Sequence, residues 1–227
     1  MNVMLQMVVL LGLVSWVAAA EDGPVNIRVE VELIALPHIE LTKILSGEVK
    51  SGAALYGVVD GMVGEGKARF VETLILTSRS GQKGSVESLA ELMWPMEQEG
   101  SEGLGDVVSE VGAVLAEPFS FETRNFGGTL EIEALVGDGP GAPIELRITV
   151  EEVGLLRMDP WLSSQERWGG ALLSTPVFEA HQANGGWLLK QGVPEMVTIF
   201  TPRERPEERV VVFVRATVLG EGKGGGE

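Results

Sequence analysis

Over residues 27–35 apolar and polar side chains alternate, with Ile27, Val29, Val31, Leu33 and Ala35 set against Arg28, Glu30 and Glu32. A period of two is that of a strand with one buried face. Pro37 stops the alternation, and a different spacing follows. Across 38–45 and 53–63 apolar residues lie three and four apart (Ile44 and Leu45, then Leu55, Val58, Val59 and Met62), which predicts one or two short amphipathic helices split at Gly47 and Gly52. From residue 68 onward strand patterns take over. Residues 68–78 are rich in Phe, Val, Thr, Leu and Ile, and Ser80-Gly81 turns them into 82–92, a hairpin by composition.

The strongest local pattern flanks Gly137-Asp138-Gly139-Pro140-Gly141. Before it, Leu130, Ile132 and Ala134 alternate with Glu131 and Glu133; after it, Ile144, Leu146 and Ile148 alternate with Glu145 and Arg147. Folding 129–136 onto 143–150 puts all six apolar side chains on one face. That face must be buried in a core, in another sheet or in lipid. Two further strands are expected over 176–189 and 193–200, turned at Lys190-Gln191-Gly192. The run Val210-Val211-Val212-Phe213-Val214 predicts that the last strand, 210–219, is covered on both faces. A short helical opening followed by antiparallel hairpins makes the fold class α+β, mainly β.

The ends of the chain read differently. The first twenty residues carry no charged side chain, are almost continuously apolar from Met4 to Val17, and finish Ala18-Ala19-Ala20. This is the pattern of a signal peptide over residues 1–20, cleaved after Ala20. Glu21-Asp22-Gly23-Pro24 interrupts it before a membrane span is complete. A domain is expected over 21–219, followed by a flexible Gly-rich tail, 220–227. The chain has no cysteine, so an exported fold must rest on packing and sheet hydrogen bonds. All 33 acidic and 17 basic residues lie beyond Ala20, leaving a formal charge of −16 on the processed chain. Such a field repels phosphate backbones and sets nucleic acid aside as a partner. No basic residue occurs between Lys83 and Arg124, and 95–118 reads as a long, solvated acidic loop holding at most a short helix at 107–115.

Candidate chemistry is sparse. Gly61-Met62-Val63-Gly64-Glu65-Gly66-Lys67-Ala68 nearly spells a phosphate-binding loop, but Ala68 replaces the hydroxyl residue, and helix precedes strand where the motif needs the reverse. A helix C-terminus accounts better for these glycines. His38 and His181 are the only imidazoles, in different elements and with no cysteine to complete a metal or thiol site, so each is read as a surface or packing residue. Glu131 and Glu133 are read as a solvated strand face, and the acidic loop lacks the Asp/Asn-Gly spacing of a calcium loop. Trp161 and Trp168 flank a polar stretch and are read as loop-packing aromatics. No catalytic residue, cofactor or metal ligand is expected, and the chain reads as non-enzymatic.

One set of segments resembles a known family. Val29-Glu30-Val31-Glu32-Leu33-Ile34 is similar to the opening strand of the C-terminal β-domain of the bacterial secretins, the ring-forming outer-membrane gates of type II and type III secretion and of type IV pili. Residues 65–71 running on through Thr77-Ser78-Arg79-Ser80-Gly81-Gln82-Lys83-Gly84-Ser85-Val86 resemble that family's strand, Gly-Gln turn and returning strand. Phe126-Gly127-Gly128-Thr129-Leu130-Glu131-Ile132 with its partner 144–150, then Pro176-Val177-Phe178-Glu179-Ala180, 184–189, Gln191-Gly192 and 211–219, resemble the later strands. The chain departs from the pattern in three ways. Few residues separate Ala20 from the first strand, where secretins carry periplasmic domains; Phe200-Thr201-Pro202 stands where a Gly-Gly pair is usual; and the acidic loop has no counterpart. The resemblance implies a structural, non-enzymatic envelope protein of the periplasm or outer membrane of a Gram-negative-type bacterium. It also implies self-association or contact with other secretion-system proteins, and outer-membrane contact. The rival reading is a soluble, monomeric β-domain acting as an interaction module.

Overall fold

In the computed structural model, which describes residues 25–47, 49, 51–95, 121–139, 141–166 and 169–219, the alternating opening segment is strand β1 (Asn26–Pro37). Helices α1 (His38–Ser46) and α2 (Gly52–Gly64) follow. Then come β2 (Arg69–Arg79), β3 (Lys83–Pro95), β4 (Phe121–Val136), β5 (Ile144–Glu166), β6 (Gly169–Leu189), β7 (Glu195–Phe200) and β8 (Glu208–Leu219). The strands form two four-stranded antiparallel sheets, ordered β2-β1-β8-β7 and β3-β4-β5-β6. The fold is α+β and mainly β. The signal peptide expected over 1–20, the body of the acidic loop with its helix at 107–115, and the tail 220–227 fall outside the described residues.

Register explains the core. In the first sheet Val29 pairs with Ala216, Val31 with Val214 and Leu33 with Val212, stacking inward side chains in rows. In the second, Leu130 pairs with Val150, Ile132 with Ile148 and Ala134 with Leu146. These rows face one another and form a single buried cluster. The apolar face of the 129–136/143–150 hairpin therefore lies against another sheet. Each Val, Leu or Ile so buried contributes roughly 1.5–3 kcal/mol, which makes this contact the main stabilising term.

The reverse face of the first sheet is covered too. Ile34, Leu36, Val211 and Phe213 point away from the sandwich and pack against Leu41, Leu55 and Val59 of the helices. Burial on both sides is why 210–214 carries no polar alternation. The Ser51 hydroxyl accepts a 3.2 Å hydrogen bond from the Ala54 N–H and starts α2.

Two expected hairpins are not hairpins. β2 pairs with β1 and β3 with β4, so the turn between them carries the chain from one sheet to the other. The Ser80 N–H donates to the Val25 carbonyl beside the first sheet, and the Gly81 N–H to the Ala134 carbonyl of the second. Gly81 adopts φ +76°, a conformation that favours glycine. The Lys190-Gln191-Gly192 turn does the same: β6 belongs to the second sheet and β7 to the first. There the Gly192 N–H donates to the Ala216 carbonyl, while the Gln191 side chain donates to the Ala142 carbonyl. Turn composition specifies a reversal, and these backbone contacts decide which sheet receives the next strand.

Tyr56 sits where α2 crosses the polar part of β8. Its ring meets Phe213 edge-on at 5.2 Å, with the Arg215 guanidinium 5.0 Å from the ring centre. Burial, reinforced by a hydrogen bond to Glu32 and that carboxylate's charge, pushes the phenol up to about 12 from its ordinary 10.0. Because the folded-state value is raised, this contribution to stability is complete below the ordinary phenol value and is lost as pH rises through the folded one. Tyr56 is the only tyrosine, so an absorbance titration of phenolate should show a single midpoint near 12, falling to near 10 on denaturation. The core yields a second expectation. Replacing Ile132 and Ile148 together by Lys should cost more than about 4 kcal/mol and abolish cooperative thermal unfolding.

Candidate functional site

The two sheets differ in reach. β4 and β5 pair from Val136/Ile144 to Gly127/Val153 and then part. β3 and β4 stay paired to Pro95/Phe121, and β5 and β6 to Glu166/Gly169. Beyond Gly127 and Val153 the second sheet is thus a pair of two-stranded ribbons, while β1 has ended at Pro37 and β7 at Phe200. Gly127 stands at the parting, with φ +131°, and a Cβ there would lie 2.1 Å from the Ser88 carbonyl oxygen. Only glycine lets β4 leave β5 while holding to β3.

At 23 and 21 residues β5 and β6 are far longer than the period-two pattern indicates. β5 accommodates Pro160 because its register shifts between Leu155/Arg157 and Pro160/Leu162. The ribbon beyond the core extends about 40 Å at ~3.3 Å per residue. It lacks β4 along this length, so among the described residues no strand pairs with its β5 edge or with the facing edge of β4.

The ribbons meet through side chains. Phe178 of β6 lies 6.0 Å from Trp94 and 6.4 Å from Phe126, with the Arg124 guanidinium 4.6 Å from its ring centre. The other side of the β3/β4 ribbon leaves Leu89, Met93 and Phe121 exposed, Met93 by 61% and Phe121 by 58%.

At the root of the ribbons, where the first sheet ends, charged groups gather. Glu179 of β6 accepts the Arg203 backbone N–H on both carboxylate oxygens, at 3.0 and 3.2 Å. The same carboxylate lies 3.3 Å from His181 Nε2, an ion-pair distance without hydrogen-bond geometry. The His181 ring stacks on Phe200 at 3.9 Å. Glu152 of β5 is half-buried beside them; burial first, then Glu179 and Glu72, hold its carboxyl above the usual range. A cleft of about 220 Å³ opens here between Arg69, Glu152, Glu179, His181, Phe200 and Arg205.

The residues singled out in the sequence fall in separate places. His38 starts α1, its N–H donating to the Glu207 carbonyl and its Nδ1 lying 3.1 Å from Arg209. His181 is the packing histidine of the junction. The glycines of 61–66 close α2: the Glu65 N–H donates to Gly61 and the Lys67 N–H to Met62, a helix C-terminus of the wrong polarity for phosphate. Glu131 is exposed, and Glu133 faces Arg147 across the strands at 3.6 Å. Trp161 belongs to β5, whereas Trp168 lies outside the described residues. The carboxylates of the junction escaped sequence reading, although Glu179 and His181, two apart on a strand, were bound to share a face. Among the described residues no three His, Asp or Glu side chains converge to hold a metal, and no helix is long and apolar enough to cross a membrane.

No protein-family model matches the sequence, and no curated protein does. The structure is similar to that of the type II secretin GspD from enteropathogenic Escherichia coli, at 11% identity and a TM-score of 0.44, over 88% of this chain and 70% of that one. It is similar to the InvG secretin-domain β-barrel of the Salmonella SPI-1 injectisome, at 10% identity and a TM-score of 0.42, over 89% of this chain and 64% of the other. For the Vibrio cholerae type IV competence pilus secretin PilQ the values are 9%, 0.37, 86% and 61%. In the last two cases the chain spans less than two thirds of the structure it matches. The structures matched are secretins, the family that the sequence segments resemble.

Phe178 is the side chain through which the ribbons touch, so Phe178→Ala should free them without dissolving the sandwich. Hydrogen exchange should accelerate about 10- to 100-fold at the amides of 89–94 and 122–126, while 129–136 keeps its protection.

Proposed function

We propose that the processed chain, with its domain over residues 21–219, is a non-enzymatic structural component of a protein-export assembly in the envelope of a Gram-negative-type bacterium. Copies of it join through the free edges of the two ribbons. The observation that supports this reading is the parting of the second sheet, beyond which β4 and β5 have no strand partner on their facing edges among the described residues. Such edges are templates for another strand, and closing them around a ring of subunits satisfies all of them at once. The β5/β6 ribbon also supports it: about 40 Å of strand exceeds the nine to eleven residues a tilted strand needs to cross a bilayer. The exposed Leu89, Met93 and Phe121 supply an apolar surface on the neighbouring ribbon. The sequence resemblance to the secretin β-domain points the same way, and export by way of residues 1–20 would place the chain in the periplasm or outer membrane.

A second reading has its own support. The sandwich buries its apolar rows privately, between its two sheets and under its helices, as a soluble domain does. On that reading the ribbons are arms by which a monomer grips a partner. Native mass measurement on the processed protein separates the two. Assembly predicts a multi-subunit species that requires detergent. Monomer at micromolar concentration without detergent would overturn it and favour the soluble module.

A further inference from the structure

We draw no further inference here: the strongest candidate, the exposed small-residue face that Ala54, Gly57, Gly61 and Gly64 present on α2 beside the exposed Val58, is open to close approach by another backbone, but nothing in the structure shows what covers it.

Discussion

The contact between β1/β8 and β4/β5 holds this protein together, and its length sets the rest of the architecture. The inward rows of the first sheet run from Ile27 to Ala35 on β1 and from Val210 to Ala216 on β8, and there they end. The second sheet continues past that limit, where the first sheet no longer covers it. Within the overlap burial selects one register, because a slip of one residue would turn every Val and Ile outward. Beyond it only backbone hydrogen bonds and scattered aromatic contacts organise the strands. One sheet outreaching the other thus yields a rigid body with two narrower appendages.

That division also sets what the sequence could reveal. Alternation is a signature of one buried face, so it was plain at 27–35, 129–136 and 143–150, and the unbroken run at 210–214 announced cover on both sides. The outer half of β5 has no such signature. Its Gly154, Arg157, Asp159 and Pro160 do not alternate because the first sheet does not extend over them, although hydrogen bonding to β6 persists. Pairing partners were illegible for a different reason. Ser80-Gly81 and Gln191-Gly192 encode reversals, but the acceptors that steer each chain into the other sheet, at Val25, Ala134, Ala142 and Ala216, lie far away in sequence. The junction was half legible, through the spacing of Glu179 and His181. Its third carboxylate, Glu72, comes from a strand whose position depends on those unforeseen corners.

Charge is distributed in keeping with this plan. No polar or charged residue among those described is buried, and the cross-strand pair Glu133 and Arg147 lies on the outer surface of the sandwich, where such contacts contribute little. Half-covered carboxylates, Glu152 and Glu179, also occupy the step from two layers to one.

The pairing of β1 with β8 bears on when the chain can fold. Asn26 lies beside Leu219 and Pro37 beside Glu208, so the two central strands of the first sheet come from opposite ends of the described chain. Contacts of such sequence separation form slowly, because the intervening loop must be closed before they repay its entropy. The local β4/β5 hairpin can form early, yet its apolar face stays uncovered until the last strand arrives. If the chain is exported as proposed, threaded N-terminus first through a narrow translocon, it would emerge without its sandwich and complete it only once residues 208–219 had cleared the pore.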